Sequence, residues 1–294
     1  MKRSAHRRAI LALILVTVIW GSGFIATAYA IASQLHVGWI MMIRFFVGAL
    51  LIGTVFRRRV FAAGKRGMLH GIGAGIILFG AFYTQTLGQG MTRVSHAALI
   101  TATNVVMIPF LLWLLTKKRP GKRVFLLSLM TMLGVVLLNI TEDMQLTFGK
   151  GEALVLLCAL LFALHITYLD LVCAGDDPVQ VAFWQLAAAA ACGGAVLLLT
   201  RPAVNASQFQ KGLAPVVYLG LFSTGLCYFL QTWAQKHVRA SEAGIVLSCE
   251  GMFGTIFSLL LGMEHLRPAM LAGGGIITLS VILSETWGRE GGPS

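Results

Sequence analysis

The sequence predicts an all-α membrane protein of ten transmembrane helices, folded as two inverted five-helix repeats. Three observations lead there: the composition, a succession of ten apolar runs, and a stretch duplicated half a chain apart. Hydrophobic residues fill 57% of the 294 positions and charged residues only 12%, with a mean hydropathy of +0.82. Soluble domains carry about 25% charged residues. A chain so poor in charge cannot coat its surface for water and needs a bilayer as solvent.

A spanning helix takes about 20 mostly apolar residues. Ten such runs occur, at about 9–31, 38–56, 69–90, 94–116, 123–140, 151–172, 179–199, 213–235, 240–262 and 268–286. Helix is expected throughout, because it satisfies its own backbone in lipid. The first run follows KRSAHRR and passes through AYA at 28–30, the outline of a signal peptide. It is long for one, WGSG interrupts it and nine more runs follow, so it reads as the first span. Arg57–Arg59 close the second run, and Lys65 and Arg66 precede the third. Lys117–Arg119 close the fourth, and Lys122 and Arg123 open the fifth. Pro178 leads the seventh and Pro268 the tenth, as first-turn prolines do.

The basic residues set a direction. Lys2, Arg3, Arg7, Arg8, the two clusters at 57–66 and 117–123, Lys236, Arg239 and Arg289 fall on one side, seventeen of the 23. Arg93, Lys150, Arg201, Lys211 and Arg267 fall on the other, and Arg44 lies inside a run. Cytoplasmic connections carry the excess, which predicts a multi-pass protein with both termini in the cytoplasm. The net charge of +12 is therefore an orientation signal, not a nucleic-acid footprint. The five cysteines show no metal-ligand or disulfide spacing, and no cofactor, metal or nucleic-acid partner is expected.

The duplication lies at an offset of 146. YTQTLGQGMTRVSHA at 83–97 aligns with FLQTWAQKHVRASEA at 229–243. Six of fifteen positions are identical: Gln85 with Gln231, Thr86 with Thr232, Gln89 with Gln235, Arg93 with Arg239, Ser95 with Ser241, Ala97 with Ala243. Chance would give roughly one. At the same offset Asn104 meets Glu250, and GVVLLN at 134–139 meets SVILSE at 280–285. Residues 1–140 and 141–294 thus read as two repeats. Because each has an odd number of spans, the second is inverted relative to the first. Inverted repeats occur in secondary transporters, with substrate held near the midplane between halves that rock.

The residues also resemble the EamA-type transporters of the drug/metabolite transporter superfamily, over nearly the whole chain. Trp20-Gly21-Ser22-Gly23-Phe24, Arg44-Phe45, Ser95 to Ile100 followed by Pro109, and Gly262-Met263-Glu264 carry the resemblance in order. Lys118, where an acid would match Glu264, and Thr255, where Pro109 has its twin, depart from it. The resemblance implies export of amino acids and other metabolites across a bacterial inner membrane.

Polar groups deep in a membrane are costly, so each needs a role. Glu250 lies about ten residues into the ninth run, near mid-depth. It could exchange a proton, meet a substrate amine, or bond a neighbouring helix. Asn104, its counterpart, cannot titrate. His165, with Tyr168 one turn on, could bond substrate, shuttle a proton or join two helices. Arg44 could clamp a substrate carboxylate, snorkel outward or pair with Glu264. Gln85 with Gln89, and Gln231 with Gln235, each share a helix face and suit either polar solutes or helix contacts.

Trp20, Tyr83, Phe183, Trp184 and Tyr228 could wall a cavity, while Trp39, Trp113 and Trp287 lie where interface anchors belong. Gly71, Gly75, Gly80, Gly88 and Gly273–Gly275 read as close-packing positions. Asp170, Asp176 and Asp177 read as a solvated loop before a Pro178-led helix rather than an enzyme's constellation.

The expectation is a secondary exporter of small amphipathic metabolites, amino acids first, driven by the proton gradient through Glu250 and His165. An uncoupled facilitator or channel and a multidrug exporter stay open. The partners expected are a small-molecule substrate and membrane lipid, with monomer or homodimer undecided.

Overall fold

A computed structural model describes residues 2–62, 64–92, 97, 100–139, 149–203, 205–261 and 265–287. Arg93, Ser95, His96, Gly262, Met263 and Glu264 lie outside the described residues, as do the side chains of Thr255 and Trp287. The pairing of Arg44 with Glu264 therefore lies outside them too.

Where they are described, the apolar runs are helical apart from turns at Thr103 and Ser248–Cys249. In order the helices are α1 (Lys2–Ala32), α2 (Val37–Val55), the short α3 (Arg57–Ala62), α4 (Lys65–Gln89) and α5 (Asn104–Thr116). Then come α6 (Lys122–Asn139), α7 (Lys150–Leu171), α8 (Pro178–Thr200) and α9 (Ala206–Tyr218). A π-helical segment, Leu219–Leu226, joins α9 to α10 (Cys227–Ala234), and α11 (Ala240–Leu247), α12 (Glu250–Leu260) and α13 (Pro268–Trp287) complete the chain. Among the described residues six helical stretches are long and apolar enough to cross a membrane, with shorter apolar helices at Ile100–Thr116 and Pro268–Ser284.

The burial pattern is that of a protein in lipid. Leu198 and Leu199 are 78% and 84% exposed and Leu260 is 76% exposed, whereas Arg44, Gln85, Gln185, Gln231, Gln235 and His165 are buried. Apolar side chains face outward, where hydrocarbon replaces water, and amides face inward, where they can find partners.

α4 is the wedge. Gly71 and Gly75 let it approach α8, where an added Cβ would lie 2.7 Å from Trp184 Cβ at the first and on the Gln185 carbonyl at the second. Gly88 brings its other end onto α7, with Gly151 O at 2.8 Å from such a Cβ. α2 packs on α8 and the π segment, α1 on α10 and α12, and α6 on α13. The largest core, around Phe45, Leu78, Phe82, Leu186 and Tyr228, joins α2, α4, α8 and α10.

Three local departures from the expected spans shape the interior and one end of the bundle. The eighth run starts earlier, at Ala206, and carries Pro215 and the π segment within it. The ninth is not continuous: a turn at Ser248–Cys249 separates α11 from α12. Asp176 is not solvated but 8% exposed, while Asp177 caps α8 by accepting from Val179 N at 2.9 Å, with Pro178 in the first turn.

The glycine face of α4 gives a contrast to test. Gly75→Ala places a methyl on backbone that cannot rotate away, an overpacking worth about 1–3 kcal/mol. Gly80→Ala meets only Leu161 Cδ1 at 3.3 Å. Thermal unfolding in detergent should show a clear fall for the first and none for the second.

Candidate functional site

The middle of the bundle holds a cavity of about 60 Å³. A buried water needs about 10–15 Å³ on this measure, so the space suits a few waters. Its walls come from both halves of the chain: Trp20, Phe24 and Thr27 of α1, Arg44 of α2, and Phe82, Gln85 and Gln89 at the end of α4. Opposite them stand Asn104, Phe162 and Ile166, then Ser223, Tyr228 and Gln231, then Ser248 and Glu250.

Arg44 defines one wall. It is 1% exposed, so it does not snorkel, and it has no ion-pair partner among the described residues. Its guanidinium lies 4.1 Å from the centre of the Phe82 ring and 5.6 Å from that of Phe45. The aromatic faces supply diffuse negative potential in place of a carboxylate. Arg44 Nε donates to Thr224 Oγ1 at 3.1 Å.

Thr224 is available there because of the π segment. A π turn carries an extra residue and leaves a carbonyl outside the regular ladder. Trp20 Nε1 donates to a carbonyl of this segment, Ser223 O, at 2.7 Å. Gly225 and Gly48 meet backbone to backbone, a Cβ on Gly48 lying 3.0 Å from Gly225 N, which seats the segment against α2 next to Arg44. Sequence reading missed Ser223 and Thr224. The available signal was Pro215 with Gly220 and Gly225 bracketing them inside one apolar run.

The opposite wall carries the repeat. Asn104 and Glu250 are each the first residue of a helix, after a tight turn at Thr103 and at Ser248–Cys249. Thr103 N bonds Ile100 O at 3.1 Å and Cys249 N bonds Val246 O at 3.1 Å, so both turns are made by three-residue contacts. The 146-residue offset therefore equates two interrupted helices as well as two side chains. Both open into the cavity, and both Gln85 and Gln231 face it. Gln85 Nε2 reaches Thr101 Oγ1 at 3.4 Å. Gln231 Nε2 donates to Gln235 Oε1 at 3.1 Å, leaving Gln231 Oε1 without a partner, as is Gln89 Nε2. Orphaned buried amide atoms await a ligand or water.

Of the eleven residues expected at a site, the cavity collects Trp20, Arg44, Gln85, Asn104, Tyr228, Gln231 and Glu250. The other four lie elsewhere. His165 sits behind Tyr228, ring centroids 5.8 Å apart, and its Nε2 donates to Gln185 Oε1 at 2.9 Å. Gln185 Nε2 continues to Thr232 Oγ1 at 2.9 Å, so the imidazole joins three helices. Tyr83 stacks on Phe79, Tyr168 packs beside α4 at Gly73, and Trp184 lies against Gly71. Helical spacing puts these groups at similar depth but on other faces.

The Arg44–Thr224 bond can be tested. Thr224→Val keeps shape and removes the acceptor, which should cost about 1.5–3 kcal/mol as a bond to a charged group. Thr224→Ser should restore most of it. Thermal unfolding of the two variants in detergent reads the difference.

The chain was compared with known proteins. The model of the EamA-like transporter family matches twice, over residues 7–140 and 149–286. An uncharacterized transporter of Archaeoglobus fulgidus is 29% identical over 93% of this chain and 84% of its own. The uncharacterized transporter YoaV of Bacillus subtilis is 25% identical over 94% and 92%. A solved crystal structure shares the fold, with a TM-score of 0.79 over 97% of this chain and 98% of the other at 18% identity. With two matches that between them take in nearly every residue, the chain belongs to the EamA-like transporter family.

Proposed function

We propose that the chain is a secondary active transporter that exports small amphipathic metabolites, amino acids foremost, across a bacterial inner membrane by alternating access. In this reading residues 1–140 and 141–294 are two five-helix halves of opposite orientation, making ten spans with both termini cytoplasmic. The two family matches and the paired helix breaks at Thr103 and Ser248–Cys249 support the duplication.

The observation that carries the proposal is the charge in the cavity. Arg44 and Glu250 face the same small space and make no ion pair with each other. A zwitterion can satisfy both, its carboxylate on the guanidinium and its ammonium on the carboxylate. Gln85, Gln231 and Asn104 then bond the solute without adding charge, and Trp20 and Tyr228 give it apolar walls. Glu250 is the group that trades a proton for substrate, and Asn104 makes that exchange one-sided. His165 communicates with the cavity through the Tyr228 ring. The 60 Å³ volume corresponds to a narrowed state, and the halves must part to admit an amino acid.

The test is uptake of labelled amino acids into inverted, energised vesicles containing the protein. Accumulation that collapses with a protonophore is the expected result. Equilibration without accumulation would mean a facilitator, and movement of drug-like cations but no amino acid would mean a multidrug exporter. Glu250→Gln should abolish gradient-driven accumulation in a folded, inserted protein, and full transport by that variant removes Glu250 from the mechanism. Arg44→Lys loses the bidentate fork and should raise KM at least about tenfold for a carboxylate-bearing substrate, leaving solutes without a carboxylate unaffected.

A further inference from the structure

One end of the bundle carries a polar cluster that the cavity does not use. Asp176, in the turn between α7 and α8, is 8% exposed. Its Oδ2 accepts from His70 Nδ1 at 2.6 Å, and its Oδ1 lies 3.7 Å from Arg66 Nε. Lys236 Nζ donates to its backbone carbonyl at 2.6 Å. The neighbouring Asp177 takes Arg59 in a two-pronged contact, Nη2 to Oδ1 at 2.9 Å and Nε to Oδ2 at 3.2 Å. Gln180 Nε2 adds a bond to Gly64 O at 3.4 Å. Arg59, Gly64, Arg66 and His70 belong to the first half of the chain, and Asp176, Asp177, Gln180 and Lys236 to the second. The cluster therefore staples the halves together.

Its position relative to the cavity gives it meaning. Gln85 and Gln89 reach the cavity from the last turns of α4, while Arg66 and His70 lie in its first turns. Fifteen residues of helix separate His70 from Gln85, about 22 Å. Two buried polar chains run through the same bundle: His165–Gln185–Thr232, and Gln231–Gln235 with Gln235 Nε2 on Ile166 O at 2.9 Å, the second starting at the cavity wall. Along this length α4 packs closely on α8 at Gly71 and Gly75, and the staple lies at the end of that contact. Individually such partly exposed pairs hold little, which suits contacts that must break in every cycle.

We propose that Asp176 and Asp177, with Arg59, Arg66, His70 and Lys236, form the gate on this side of the transporter. The proposal rests on the transport reading, and separation of these groups is the step that opens the cavity to the side they face.

The experiment measures access rather than transport. Ser248 lines the cavity, so Ser248→Cys is placed in a chain whose five native cysteines are replaced by alanine or serine. The protein is reconstituted in vesicles and labelled with a membrane-impermeant maleimide from each side in turn. Asp176→Asn with Asp177→Asn removes both charges, and asparagine still caps α8. Labelling from the cluster's side should rise about tenfold, the scale of one or two such pairs, and stay within about twofold from the other side. No rise, or an equal rise from both sides, overturns the gate. If the double variant fails to give a monodisperse protein, Arg59→Gln is read the same way, with a smaller one-sided rise expected and its absence counting against the gate. Labelling needs no substrate, so the gate can fail while the transport reading stands, and the reverse.

Discussion

A guanidinium inside an apolar bundle costs about 3 kcal/mol or more unless the surroundings answer it. Much of the centre of this protein is that answer. Phe82 and Phe45 present ring faces to Arg44, and the π segment breaks the regular helix where Thr224 must reach Nε. Gly48 and Gly225 thin the α2 interface so that the segment can come close. None of these groups supplies a full negative charge, and among the described residues Arg44 has no ion-pair partner. Glu250 sits across the cavity but not on the guanidinium. An arrangement built only for stability would join the two, since a buried charge without its partner is the costly case. The separation of the two charges across the cavity is what the proposed zwitterion site rests on.

The same space holds both the likeness and the difference between the two halves of the chain. Turns at Thr103 and Ser248–Cys249 stand at matching places of the 146-residue offset, each directly before a residue that lines the cavity. Gln85 and Gln231 keep their symmetry there, but Asn104 and Glu250 do not, and neither do Gln89, which faces the cavity, and Gln235, which is spent on Ile166 O. In the proposed alternating-access reading, pseudo-symmetric backbones give two states of similar energy. A ligand shifts an equilibrium only through a difference in its affinity for the two states, and under the proposed exchange these asymmetric side chains are where that difference arises.

Much of this was legible in the sequence and some was not, for physical reasons. The helical runs were legible because lipid demands long apolar stretches, and the 146-residue offset was legible because polar residues within such stretches are few enough to align by eye. Seven of the eleven expected site residues share the cavity for the same reason: a polar side chain at mid-depth has few places to go. Which face it uses was not legible. His165 could not be told from a ligand-binding group without knowing that Gln185, on the next helix, meets its Nε2. Arg44 was open to snorkelling until Phe82 was seen beneath it. The turn at Ser248–Cys249 carries neither glycine nor proline, so no local signal marks it, and the π register depends on what α2 and Trp20 offer in return.

Asp176 and Asp177 make the last step. In the sequence they are two acids in a loop before a proline, the usual start of a helix, and Asp177 does cap α8. A cap alone does not account for Asp176, which is buried yet sits at the end of the bundle, where water was within reach. Burial of a carboxylate at such a place follows from what surrounds it: His70 and Arg66 come from α4, Lys236 from beyond α10, and each belongs to an element that also reaches the cavity or the buried polar chains. In the proposed cycle, a shift of α4 against α8 that widens the cavity toward this end acts on the His70–Asp176 contact, which lies beside the glycine-thinned approach at Gly71 and Gly75. Under that reading the charge cluster and the cavity are coupled through α4, which carries His70 near one end and Gln85 near the other.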